Sequence, residues 1–173
     1  MDEIERRVRD IVDGIPGADV MDCDPALVDT AEFCAAYGFA MDDSANAIVV
    51  IGKASSAAVP PVYAVCLVLA TTRLDVNRVV RKRLGTKKAS FAPPEVTADL
   101  TGMTMGGVTP FALPDGLPLW IDSRVMTRDR VVVGGGSRAA KVVGPPSMLL
   151  AIPGAEVVAD LAVDAQSGPD PLR

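Results

Sequence analysis

The sequence predicts an α+β fold built on a mixed sheet, and three observations carry that prediction. The chain has 173 residues, 49% of them apolar, and a mean hydropathy of +0.30, enough for one domain (1–173) with a real core and too apolar for disorder. Two near-continuous apolar runs, "NAIVVIG" (46–52) and "VYAVCLVLATT" (62–72), are rich in β-branched residues and read as neighbouring strands buried on both faces. Short helical and extended segments follow one another without strict alternation or internal repeat, which favours α+β over repeated βαβ units.

Each element has a local reason. In "DEIERRVRDIVDGI", Ile4, Val8, Ile11 and Val12 recur at helical spacing until Gly14 and Pro16 end the run. A short extended piece spans Ala18 to Asp22. "DTAEFCAAYG" is a second helix, capped by Asp29 or Thr30 and ended by Gly38. The small-residue linker "KASSAAVPP" joins the two long strands. Asp75 is expected to cap a third helix, "VNRVVRKRLG", that stops at Gly85; Val76, Val79, Val80 and Leu84 then face inward and Arg78, Arg81 and Lys82 outward. "KKASFA" reads as a short strand, and "PPEVTADLTG" as a fourth helix opened by proline and closed by Gly102. Strands at "LPLWIDSRVM" and "RVVVGG", a helix near "GPPSMLLAI" and a strand at "AEVVADLA" complete the expectation. The polar tail, 164–173, reads as frayed.

Composition excludes whole classes of chemistry. There is no histidine, so His-based triads, His general bases and His metal ligands are out. Four Phe, two Tyr and one Trp leave the core to Val, Ala and Leu. Cys23, Cys34 and Cys66 are odd in number and lack a C-x-x-C, against a disulfide framework or zinc site; a reducing cytoplasm suits them. The opening charges, Asp2 to Arg9, do not read as a secretion signal. The most lipid-like segment, residues 59–70, is too short to span a bilayer and begins with two prolines. No metal or cofactor is called for, and no DNA or membrane partner.

Net charge is −5, yet it is unevenly placed. Residues 1–50 carry twelve acids against three bases, whereas 73–88 carry Arg73, Arg78, Arg81, Lys82, Arg83, Lys87 and Lys88 against Asp75 alone. That cluster reads either as a solvated helix face or as a local dock for a polyanion.

Three places could hold chemistry. In "MGGVTPFALP", Gly106 and Gly107 remove Cβ atoms and Pro110 pushes Thr109 toward an extended conformation. The result is either a plain turn or a rigid loop whose bare backbone admits a ligand and whose amides hold a carbonyl. "GGGSR" (134–138) is either a hairpin turn or a second cleft wall, with Ser137 and Arg138 adding a hydroxyl and a cation; it lacks the Gly-Lys-Ser/Thr ending of a phosphate loop. Asp122, after the apolar run Leu119–Ile121, either guards a pocket mouth or bonds a neighbouring loop.

Taken in order, "LGTKKASFAPPEVTADLTGMTMGGVTPFALPDGLPLWIDSRV…VVVGGGSR" resembles the YbaK/ProX-like aminoacyl-tRNA deacylases, a family also found as the editing insertion of bacterial prolyl-tRNA synthetases. The likeness spans roughly residues 25 to 160 and rests on "KKASFA", Gly-x-x-x-Pro (Gly106 to Pro110), "WID" and the glycine run. It implies a mixed, partly closed sheet flanked by helices, and hydrolysis of amino acids wrongly esterified to tRNA. It implies that Gly106, Gly107, Val108, Thr109 and Pro110 hold the aminoacyl group and the terminal adenosine, their amides at the scissile carbonyl, with Gly134, Gly135, Gly136 and Ser137 lining the same pocket and Asp122 in the catalytic set with Gly106 and Gly107. No side chain is an obvious nucleophile, which fits attack by water or a substrate hydroxyl. Where the family carries a lysine at the start of the first apolar strand, this chain has Asn46, placed with the catalytic set but without the charge. Lys53, at the strand's other end, is too far along to replace it. Arg78, Arg81, Lys82, Lys87 and Lys88 become candidate contacts to tRNA. Aminoacyl-tRNA, and a synthetase delivering it, are the expected partners of a monomer or small homo-oligomer. A non-catalytic binder of tRNA ends, or a hydrolase of another small ester, are the competing readings.

Overall fold

The computed structural model describes residues 1–165. In chain order it contains α1 (Glu3–Asp13), β1 (Asp19–Asp22), α2 (Thr30–Tyr37), β2 (Ala45–Lys53), β3 (Val62–Leu69) and β4 (Thr72–Leu74). There follow α3 (Arg81–Leu84), β5 (Lys88–Phe91), α4 (Pro94–Thr101), β6 (Leu119–Asp122), β7 (Val131–Gly134), β8 (Ala140–Gly144), β9 (Ala155–Val158) and β10 (Ala162–Asp164). None of the described helices is long and apolar enough to cross a membrane.

Strand β3 sits at the centre because neither of its faces tolerates water. Val65 and Leu67 face one apolar cluster, with Val8 and Val12 of α1, Ile121 and Met148. Ala64, Cys66 and Val68 face a second, with Val80, Trp120 and Leu161. Burying a side chain such as Leu67 contributes about 2 kcal/mol, and the alternation supplies that gain on both sides of the sheet. The sheet order is β5-β2-β3-β6-β9. Its β5-β2 and β2-β3 pairs are antiparallel and its β3-β6 and β6-β9 pairs parallel, so the expected mixed sheet is present. A second, antiparallel sheet has the order β1-β8-β7, and β4 pairs with β10 in a ribbon. A parallel bridge from Ser44 to Val132 joins the two larger sheets at one point, and the five-stranded sheet stays open rather than closing.

Helix ends follow the expected chemistry at α1, where Asp2 and Glu5 form a reciprocal capping box, and at α2, where the Asp29 carboxylate accepts from Ala31 and Glu32. Asp75 departs from it. Its side chain caps no amide but is held by Arg78 (Nε 3.1 Å, Nη2 2.9 Å), while its own N–H donates to Leu161 beside the β4–β10 ribbon. The segment Val76–Val80 therefore starts as a wide π-type turn and tightens into α3 only afterwards. Three other expectations are shortened. Residues 123–127 leave β6 as a 3₁₀ turn, and 146–151 form another, since Pro145 and Pro146 supply no amide hydrogens. "AEVVADLA" splits into β9 and β10 at Asp160, whose φ is +57°. Asp164 is not frayed: it pairs with Thr72 in the ribbon, and 166–173 lie outside the described residues.

Asp122 secures that ribbon. It is fully buried at the end of β6, its Oδ1 accepts from the Ala162 amide at 3.2 Å, and its Oδ2 lies 3.6 Å from Arg124, which also donates to the Ala162 carbonyl. Asp122→Ala should lower the unfolding free energy by about 2 kcal/mol in urea melts, because the Ala162 amide loses its buried acceptor; Asp122→Asn, which keeps an acceptor, should lose less.

Candidate active site

A gap in hydrogen bonding along β2 creates the site. Strand β5 pairs with Val50 to Lys53, and the bridge to Val132 occupies Ser44, so no strand lies against the stretch between. The Val49 carbonyl accepts from Ala92 on that side; alternation therefore turns the N–H and C=O of Ala47 to the same open edge. A cavity of about 340 Å³ fills the gap, walled by β2, α2, β7, β8 and the loop 105–108. Its apolar lining includes Leu27, Phe33, Ile48 and Val133; its polar groups include Ser44, Asn46, Thr97 and Lys141.

The two glycine loops meet beside this cavity and pack backbone on backbone. The Gly136 amide donates to the Gly107 carbonyl at 3.0 Å. A Cβ on Gly107 would lie 2.7 Å from the Ser137 carbonyl carbon, and one on Gly134 only 2.1 Å from the Val108 oxygen. Gly136 is barred twice, by a φ of +99° and by Ile4 at 2.8 Å, and a Cβ on Gly135 would strike Ala140. The expectation that bare backbone makes room for a ligand is thus corrected: at 107 and 134–136 it makes room for the protein itself. Gly106 is exposed, needs glycine for its φ of +92°, and is braced by Arg138, whose Nε and Nη2 each donate to the Met105 carbonyl at 3.2 Å.

Docking consumes some of the loop's amides and spares others. Gly107 N–H donates to Thr104 and Thr109 N–H to the Met103 sulfur. Those of Gly106 and Val108, both cavity-lining residues, have no acceptor among the described residues. Of the residues expected at the site, Asn46, Gly106, Val108 and Gly134 line the cavity. Gly107, Gly135, Gly136 and Ser137 support its wall; Ser137 accepts from the Ala139 amide within its own turn. Thr109 is fully buried and caps the turn 110–112 by accepting from Phe111, and Pro110 borders a different groove. Asp122 does not reach the cavity either.

The basic residues are exposed and stand off from it. Arg78 is tied to Asp75, Arg81 donates to the Asn77 carbonyl, and Lys82 projects from α3. Arg81, Lys87 and Lys88 share a depression with Lys53, which sits directly opposite Lys88 in the β2–β5 register. Lys53 is therefore no substitute for a lysine at position 46.

One lining residue escaped the sequence reading. Lys141 on β8 pairs across from Gly134 and is the only charged residue lining the cavity among the described residues. Its ammonium lies 5.3 Å from the Phe33 ring centroid and forms no ion pair there. Burial lowers its pKa from the ordinary 10.5, with Cys23 and Cys34 acting the other way. A lysine within the alternating "AKVVG" was the available signal, since every neighbour in that strand is apolar or glycine.

Two measurements check this construction. Gly134→Ala should cost about 3 kcal/mol in urea unfolding, because a Cβ must displace the Val108 carbonyl. Lys141→Met should raise the urea midpoint at pH 7. The folded state resists the proton that the unfolded chain takes up, so wild-type stability climbs as pH rises from the lowered pKa toward 10.5, and the variant's advantage shrinks over that window.

Comparison with known proteins agrees with the architecture. A crystal structure described as a candidate trans-editing enzyme for prolyl tRNA synthetase superposes with a TM-score of 0.75 at 24% identity, over 92% of this chain and 97% of that one. An epitope scaffold made by computational backbone grafting gives 0.74 at 24% identity, over 92% and 97%. A protein described only as hypothetical gives 0.73 at 25% identity, over 84% and 91%. The family model for the aminoacyl-tRNA editing domain matches residues 24–152, taking in β2, both glycine loops and Lys141. The chain belongs to the aminoacyl-tRNA editing domain family.

Proposed function

We propose that this protein hydrolyses the ester joining an amino acid to the 3′-terminal ribose of a tRNA, with the aminoacyl group seated in the β2 cavity. The observation that carries the reading is a pair of amides, Gly106 and Val108, that have no acceptor among the described residues and belong to the wall of an apolar cavity whose one charged side chain, among those residues, is cationic. Water adds to the ester carbonyl carbon, the neighbouring ribose hydroxyl being placed to take its proton. The carbonyl oxygen gains negative charge, the bond to the ribose oxygen breaks, and that oxygen takes up the proton. Two amide donors and the Lys141 ammonium suit the developing oxyanion and nothing else in this sequence of events. No carboxylate or cysteine lines the cavity among the described residues, and the reading assigns the rate to positioning and electrostatics.

Asn46 offers a neutral amide at the mouth, able to bond a ribose hydroxyl or the ester without adding charge. The apolar walls select neutral side chains, since a charged one would be desolvated there. Arg78, Arg81, Lys82, Lys87 and Lys88 lie outside the cavity, where phosphates of the tRNA acceptor end would run. Asn46 also favours a second reading, in which the protein binds acylated tRNA ends without cleaving them.

Purified protein should release at least one amino acid from tRNAs charged with Ala, Cys, Ser, Thr or Pro faster than spontaneous hydrolysis does. Lys141→Met should slow kcat about 10²-fold, the loss expected for one oxyanion-stabilising group. Binding without release across the whole panel would replace the hydrolase reading with the binding one.

A further inference from the structure

Two hydroxyls in the wall of the β2 cavity are left over by the protein itself. Thr97 is 3% exposed and Ser44 7%, and both line the cavity. Neither side-chain oxygen has a hydrogen-bond partner among the described residues. Neither is sealed away, since the described side-chain atoms that are both sealed and unpartnered are Arg9 Nε, Asp122 Oδ2 and Arg128 Nε. What surface the two oxygens keep therefore opens on the cavity. A hydroxyl in an apolar wall costs free energy until something bonds it.

Thr97 is the better placed of the two. A threonine inside a helix can bond the carbonyl four residues back, and Thr101 does so: its Oγ1 donates to the Thr97 carbonyl at 2.7 Å. Thr97 leaves that option unused, and its amide, not its hydroxyl, donates to the Pro93 carbonyl at 2.9 Å. The Thr101 Oγ1 also accepts from the Met103 amide at 3.1 Å, and the Met103 sulfur accepts from the Thr109 amide at 3.4 Å. Hydrogen bonds thus tie Thr97, step by step, to the loop that carries the Gly106 and Val108 amides. A group bonded by Thr97 and a carbonyl held by those amides would sit at a fixed separation, as preorganised recognition requires. Ser44 belongs to another element: its amide donates to Met41 and its carbonyl accepts from Ala70, beside the bridge to Val132.

The rest of the wall narrows what Thr97 can bond. A cationic side chain is repelled by Lys141, and a carboxylate would pair with it and cancel the charge that the ester oxygen needs. A side-chain amide brings two donors and an acceptor, more than one hydroxyl satisfies. A hydroxyl set against a hydroxyl leaves least unpaired. We propose that Thr97 is a specificity-determining residue that hydrogen-bonds a hydroxyl on the substrate's side chain, so that the cavity takes seryl and threonyl esters ahead of their apolar isosteres. A purely apolar wall would favour valine over threonine; here valine leaves the Thr97 hydroxyl unpaired, and the order reverses. The inference rests on seating the aminoacyl group in the β2 cavity and adds which side chains are taken there.

The test acylates one tRNA body with threonine, valine, serine or 2-aminobutyrate, two pairs that exchange a hydroxyl for a methyl. Release is corrected for spontaneous hydrolysis. Wild type should prefer the hydroxyl member of each pair about 10- to 100-fold in kcat/KM, the range for leaving one buried group unpaired. Thr97→Val, which keeps the shape, should bring the ratio to one or below, and Thr97→Ser should retain it. Equal release within each pair by wild type, or a preference that survives Thr97→Val, refutes the role of Thr97 while the deacylase reading stands. If nothing is released, the same pairs are joined through a stable amide to a tRNA ending in 3′-amino ribose, and binding is compared. A threonyl preference lost in Thr97→Val then upholds the site and removes only the hydrolysis; no preference removes both.

Discussion

The amide of Gly136 bonded to the carbonyl of Gly107 holds together two loops that approach from different elements, one after α4 and one between β7 and β8. Everything at the site depends on that contact. With Gly134 against the Val108 carbonyl and Gly107 against Ser137, the loops close to backbone distance and fix the residues between them. Because Gly107 and Thr109 spend their amides inside the loop, those of Gly106 and Val108 are left over. A looser loop would let these donors find partners among their neighbours. The tight one leaves them without partners among the described residues in a loop that lines the cavity, and the proposed oxyanion role rests on that.

The same contact explains how far the sequence could be read. Helical periodicity in α1, the capping aspartate before α2, and the doubly apolar run of β3 are local signals, and each produced the element it pointed to. Elements went astray where a distant partner decided. Asp75 has the composition of a cap, but Leu161 takes its amide and Arg78 its carboxylate. Asp122 follows an apolar strand as a catalytic acid might, yet Ala162, forty residues on, claims it. The glycine loops were legible as special backbone. Their reason was not, since it lies in the approach of Gly134 to Val108, twenty-six positions apart in the chain. Lys141 was missed for a similar cause: only folding α2 over β8 shows that this half-buried lysine lies against Phe33 and lines the cavity.

Lys141 also shows what the fold gives up if the proposed site is to work. An ammonium partly withdrawn from water, with a ring face for company and no carboxylate within salt-bridge reach among the described residues, lowers stability at neutral pH. A core selected for stability alone would place a methionine there. A carboxylate beside it would remove the strain and cancel the charge a substrate oxyanion needs. The unpaired state is thus the informative one, in the way that buried groups with shifted pKa values mark sites in general.

Position 46 then takes a different meaning. The resemblance to YbaK/ProX-like deacylases leads one to expect a cation at the start of β2, and an asparagine there looks like a loss. The cavity nevertheless contains an ammonium, contributed by β8 from the wall beside Gly134 rather than by β2. Two lysines in so small a space would repel each other and deepen the desolvation already felt by Lys141. With one cation on β8, a neutral, hydrogen-bonding Asn46 lining the cavity leaves the electrostatics of the proposed acyl site intact.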